Sequence, residues 1–157
     1  MRELQKRRVA PRWGYLAAMS RENVEIIRRL WKAVERGDMD TVFSSYDPAI
    51  VWENHGGPIE LLGTYHGHEG VRQWFRQWLQ SFENFQPHAE QYHELDEGHV
   101  LVLTRLSGRG KTSGVEVQMP RWNLYEIRNG LVKRVSIFET KDQALEAARL
   151  SKDPRNL

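Results

Sequence analysis

The sequence contains no cysteine, which excludes a disulfide scaffold, a thiolate zinc site, an iron–sulfur cluster and a cysteine nucleophile. It also lacks any apolar run approaching the roughly 20 residues a membrane helix needs. Internal repeats, low-complexity linkers and a dinucleotide-binding glycine motif are missing as well. What remains is a chain of 157 residues, 39% hydrophobic and 28% charged. Such a chain is one ordinary soluble domain, able to bury roughly 68–70% of its unfolded surface.

A strong surplus of one charge is absent from most of the chain. The pI near 9.0 comes from residues 1–19, where Arg2, Lys6, Arg7, Arg8 and Arg12 stand against Glu3, a net of +4. The remainder carries a net of −2, so the body has no electrostatic footprint for nucleic acid. Trp13 to Met19 is too short an apolar patch, with Pro11 before it and no cleavage pattern after it, to read as a secretory signal. The expectation is a cytoplasmic protein with no membrane or nucleic-acid partner. Residues 1–19 read as a poorly ordered basic extension, 20–150 as a single domain and 151–157 as a C-terminal tail.

Within the domain the period of the apolar residues changes once. Ser20 is placed to cap a helix whose stripe is Val24, Ile27, Leu30, Trp31 and Val34. Gly37 stops it, and Asp38 can cap a second helix through Val42, Phe43 and Tyr46 that ends at Asp47-Pro48. Residues 50–54 read as a strand, followed by a Gly/Pro loop. A third helix from Gly67 carries Val71, Trp74, Phe75, Trp78, Leu79 and Phe82 on one face. Strands then follow over 86–94, 99–107, 115–127 and 131–138, separated by turn signals. Thr140 and Gln143 form a capping box for a last helix. Helices followed by an antiparallel meander predict an α+β fold. The run His99-Val-Leu-Val-Leu is apolar on both faces, which predicts helices on one face and a second copy of the chain on the other. Gly110-Lys111-Thr112 is not a phosphate loop, because Arg105 stands where that motif needs glycine and a strand follows rather than a helix.

Several stretches in this order resemble the SnoaL-like branch of the nuclear-transport-factor-2-like superfamily. They are residues 36–40 (RGDMD), 49–53 (AIVWE), 65–71 (YHGHEGV), 108–115 (GRGKTSGV), 129–132 (NGLV) and 144–148 (ALEAA). The resemblance covers about residues 20–150. It implies a cone-shaped curved antiparallel sheet wrapped around N-terminal helices, enclosing a pocket. That family hosts cyclases, isomerases, hydrolases, dehydratases and members with no known chemistry, so the fold does not fix an activity.

The resemblance also marks Glu53, which matches by position the general base of the superfamily's ketosteroid isomerases. A carboxylate beside an apolar wall such as Trp52 would have its pKa raised by desolvation and serve as a base near neutral pH. Leu30 and Trp122 occupy the positions of that family's two hydrogen-bond donors, which argues against steroid isomerisation. His66 is a candidate acid or proton shuttle, while His66-Gly67-His68 leaves further ligands unnamed and predicts no metal. Arg105 interrupts an apolar strand and is a candidate for an anionic or carbonyl group, or for pairing with Glu53 or Glu116. Gln118 and Trp122 share one strand face, Arg121 and Asn123 the other, and the ring of Trp122 favours the first as pocket lining. Trp31, Trp74 and Trp78 have core spacing. The expected function is a small-molecule pocket, with possible acid–base chemistry on a hydrophobic carbonyl compound and no organic cofactor. The alternative is a non-catalytic homodimeric binding or sensing module.

Overall fold

In the computed structural model the described residues are 21–151; the readings for residues 1–19, the Ser20 cap and the last residues of the tail fall outside them. Helix α1 covers 21–35 and buries Val24, Ile27, Leu30 and Trp31. Gly37, at φ +75°, turns the chain. Asp38 Oδ1 then accepts from the Thr41 N–H at 3.2 Å, capping α2 (Met39–Ser44).

Tyr46 does not continue that helix. It opens β1 (Tyr46–Asn54), which runs through Asp47-Pro48 with a register shift against its neighbour between Tyr46 and Val51. The irregularity accommodates a proline that has no N–H for the ladder. After a 3₁₀ turn at Ile59–Leu61 comes a short β2 (Gly63–His66), a strand hidden in the sequence by its brevity. Helix α3 (Gly67–Ser81) buries Val71, Trp74 and Trp78, but Leu79 is exposed. At 100° per residue Leu79 stands about 80° round the helix from Val71, at the edge of the stripe.

The second half is β3 (Phe82–Asp96), β4 (His99–Gly110), β5 (Glu116–Arg128), β6 (Leu131–Phe138) and α4 (Lys141–Ser151). The capping box forms as the spacing predicts, with reciprocal Thr140 and Gln143 bonds of 3.2 Å. The six strands make one sheet in the order β2-β1-β6-β5-β4-β3. The meander is antiparallel, but β1 pairs with β6 in parallel, so the sheet is mixed rather than wholly antiparallel. Register shifts along β3 bend the strand, as bulges do.

Two apolar clusters divide the sheet. The inner one joins α1, α2 and α3 to Ile50, Trp52, Val100, Val102, Tyr125, Val135 and Ile137. The outer one is Leu101, Leu124 and Phe138 under Ala144 and Ala148 of α4. The second apolar face of β4 is therefore partly covered by α4 of the same chain, which the meander alone does not reveal. No described helix is long and apolar enough to cross a membrane.

Candidate functional site

The concave side of the sheet and the helices enclose a cavity whose walls include Leu30, Trp31, Tyr46, Trp52, Trp74, Phe75, Phe85, Asn123 and Tyr125. Its free volume is about 20 Å³, room for about one water molecule. Aromatic rings fill the rest. Trp52 and Trp74 lie with centroids 5.0 Å apart, and Phe75 touches both at 5.9 and 5.0 Å. No carboxylate or imidazole is among the described lining residues.

Polarity in this space is sparse and uneven. Trp31 Nε1 donates to the Tyr125 hydroxyl at 3.0 Å, and Asn123 Nδ2 donates to the same oxygen at 3.3 Å. Two bonds accepted there leave the phenolic proton of Tyr125 to be placed elsewhere. By contrast Trp52 Nε1, Trp74 Nε1 and Asn123 Oδ1 are buried with no partner among the described residues. Leaving such a buried group unpaired costs roughly 1–3 kcal/mol.

Burial pushes the Tyr46 and Tyr125 phenols above their ordinary pKa, each aided by a nearby tyrosine. Both stay protonated and neutral throughout the physiological range. Because these pKa values are raised in the folded state, the associated stability is intact below about pH 10 and is lost as pH climbs further. An absorbance titration of tyrosinate should show these two phenols ionising only together with loss of the folded circular dichroism. Ionisation of all tyrosines in the native state near pH 10 would refute this.

The residues singled out from the sequence do not meet in this cavity. Trp52 lines it, 3% exposed. Glu53, next along β1, points to the other face by strand alternation. There it contacts Arg134, and His55 Nε2 lies 3.2 Å from its Oε2. Its surroundings are a cleft with Glu126, Arg128, Ser136 and Phe138, on the face away from the Trp52 ring. His66 is exposed at the end of β2. Arg105 is on the outer face too, but its partner is Glu90 of β3 rather than Glu53 or Glu116. Gln118 is exposed, and Trp122 packs on the outer cluster beneath Lys141. The opposite face of β5 is the inward one, where Arg121 and Asn123 are 9% and 6% exposed. Outer-face burial by α4 gives the Trp122 ring a place of its own, away from the cavity. Trp31 and Trp74 are core residues, as their spacing predicts, and cavity walls as well.

Replacing Glu53 by glutamine should cost about 0.5–1 kcal/mol near pH 7, the range of a partly exposed ion pair. Thermal midpoints at pH 7 test this, and a gain in stability would contradict the assignment.

The model for the SnoaL-like domain matches residues 27–135. The chain belongs to the SnoaL-like family. No curated protein matches it. Its structural neighbours include Bal32a from a soil-derived mobile gene cassette, 21% identical over 82% of this chain and 97% of that one, with a TM-score of 0.70. TerC, co-crystallized with polyporic acid, is 17% identical over 80% and 96%, with a TM-score of 0.66. A protein of ketosteroid isomerase-like fold from Catenulispora acidiphila, in complex with trimethylamine, is 15% identical over 78% and 90%, with a TM-score of 0.62. At these identities the likeness establishes the SnoaL-like fold and no activity.

In this SnoaL-like chain Leu30 does line the cavity, an apolar side chain at the position the resemblance gives to a phenol donor. Among the described residues no group of three or more His, Asp and Glu is placed to hold a metal; His68 instead bonds the Tyr46 carbonyl at 3.1 Å. One other cluster has catalytic residue types. His99 lies 3.0 Å from Asp96 and 3.4 Å from Ser151 Oγ. That hydroxyl donates to the Ala148 carbonyl at 2.8 Å. It sits at the C-terminal end of α4, where the helix dipole opposes a developing oxyanion, so the arrangement is unsuited to acyl transfer.

Proposed function

We propose that this SnoaL-like protein binds a small, flat, hydrophobic, carbonyl-bearing molecule inside the cone, and does so as a binding module rather than through proton abstraction by Glu53. The observation that carries the reading is the set of unpartnered polar atoms, Trp52 Nε1, Trp74 Nε1 and Asn123 Oδ1, within an aromatic wall. A carbonyl oxygen accepts from the indoles, the rings stack on the guest, and an amide or hydroxyl hydrogen of the guest reaches Asn123. The neighbours found with polyporic acid and with trimethylamine support the fold as a host for small molecules. A guest larger than water enters by displacing the half-buried Phe75 and Phe85 at the wall.

The acid–base reading ranks second, since the cavity wall offers only neutral phenols and the carboxylate of Glu53 faces Arg134. The homodimer belongs to the proposal with a smaller footprint. Leu101 is already covered by α4, which leaves half-buried Leu103 and Trp122 beside His93 for a second copy. Sedimentation at micromolar protein is expected to give the mass of two chains, and a single-chain mass contradicts it.

Calorimetric titration with 2-naphthamide tests the cavity. Saturable binding is expected, weakened about tenfold by Asn123→Ala, the effect of one buried hydrogen bond, and unchanged by Glu53→Gln. Absence of binding at millimolar concentration, or loss on Glu53→Gln alone, overturns the proposal.

A further inference from the structure

The inner-facing residues of β5 include one charge. Arg121 lies two residues before Asn123 on the same face, about 7 Å along the strand, and is 9% exposed. Its guanidinium is poorly matched. Among the described residues Nη1 donates to the Pro120 carbonyl at 2.8 Å, Nη2 has only the Met119 sulfur at 3.9 Å, and Nε has no partner. Burial lowers its pKa, and the carboxylate of Glu139 opposes that. Glu139 nevertheless stands beyond ion-pair distance, with its Oε1 accepting from the Gly57 N–H at 3.1 Å.

Trp78 meets the same spot. A side chain added to Gly57 would come within 3.3 Å of Arg121 Nη2 and 3.8 Å of Trp78 Cζ2. One added to Gly56 would strike Glu139 Cγ at 2.7 Å and lie 3.4 Å from Arg121 Nε. The backbone of this loop therefore closes over the guanidinium and the six-membered ring edge of Trp78 at Cζ2 and Cη2. Trp78 adjoins the cavity walls, 5.8 Å from Trp74 and 5.2 Å from Phe85.

We propose that Arg121, two residues from the cavity-lining Asn123, forms an anion subsite beside the aromatic cavity, so that the guest is a flat hydrophobic carboxylate. This inference rests on the cavity reading above. The ring system lies against Trp52, Trp74 and Phe85, and the carboxylate reaches the guanidinium beneath Gly57. A planar guanidinium with unmade N–H bonds suits a carboxylate better than any neutral group, because the fork of donors matches both oxygens and the bonds are charge-assisted. A neutral amide of the same shape satisfies the indoles and Asn123 but leaves Arg121 uncompensated.

Calorimetric titration of the full chain with 2-naphthoate and 2-naphthamide at pH 7.5 tests this. The parent is expected to bind the acid roughly 10–100-fold more tightly than the amide, as for charge-assisted bonds. Arg121→Gln should bring the acid down to the amide's affinity and leave the amide within about twofold. Glu139→Gln, a change at an exposed residue, should tighten the acid several-fold and not the amide. Equal affinities for acid and amide in the parent overturn the anion subsite and leave the cavity reading standing. That comparison needs no variant to fold. Failure of both probes to bind overturns the two together.

Discussion

Replacing Trp78 by alanine is expected to destabilise the protein by about 3–5 kcal/mol, the range for truncating a buried tryptophan. Trp78 is 1% exposed. Its ring is stacked 5.2 Å from Phe85 at 13° and 5.4 Å from Phe82 at 29°, and meets Trp74 edge-on at 5.8 Å. It thus joins α3 to the start of β3, the point where helix gives way to the long strand. Removing it leaves a void beside a cavity whose own free volume is only about 20 Å³, and Gly57 has no side chain with which to fill it. In a domain of this size the loss corresponds to a fall in melting temperature of roughly 10 °C. Trp78→Phe should lose less than half of this, because the stack on Phe85 is kept. Calorimetric unfolding decides the matter. A loss under about 1 kcal/mol would mean that the aromatic interior closes up freely and is not held in place by this ring.

The second large effect has the opposite sign. Arg121→Met is expected to stabilise the free protein by about 1–3 kcal/mol. Replacing a buried charge whose partners are incomplete by an apolar side chain of similar length is often stabilising. Here the guanidinium has one carbonyl, one sulfur and an unmade Nε bond, while Glu139 is engaged with Gly57. Residues that lower stability in this way are a common mark of sites kept for binding. The same variant should lose its preference for 2-naphthoate. If it were instead less stable than the parent by more than about 1 kcal/mol, Arg121 would be a structural residue supported by its surroundings. Chemical denaturation, with the slope checked to be unchanged, measures the difference.

Most of the fold was legible in the sequence because it is written in periodicity. The stripe of α1, the stripe of α3, the meander and the Thr140–Gln143 box all rest on local patterns that the tertiary structure keeps. β2 was not legible, since four residues give no period to read. Nor was the stretch of β1 through Pro48, where the pairing with β6 is interrupted between Tyr46 and Val51 and the ladder does not need the missing N–H. The site was harder. Alternation alone states that Trp52 and Glu53 face opposite ways, and that Arg121 and Asn123 oppose Gln118 and Trp122. It does not state which face is inside. That choice depends on α4, whose Ala144 and Ala148 cover Leu101, Leu124 and Phe138 and so make the outer face partly apolar. A large ring at Trp122 was then as compatible with the outer cluster as with the cavity. The clue available in the sequence lay in Tyr125 and Ile127, apolar partners of Asn123 at i+2 and i+4. They mark that face as the more deeply buried one.

In the proposed binding mode the indole N–H groups of Trp52 and Trp74, unpartnered among the described residues, become donors to a guest. Nitrogen–proton correlation spectra separate the indole signals of the chain's six tryptophans, and Trp52→Phe and Trp74→Phe assign the two that matter. On titration with 2-naphthamide those two signals are expected to move downfield in proton shift, while the Trp122 signal on the outer face stays in place. Movement of Trp122 with no change at Trp52 and Trp74 would put the binding site on the outer face and rule out binding inside the cone.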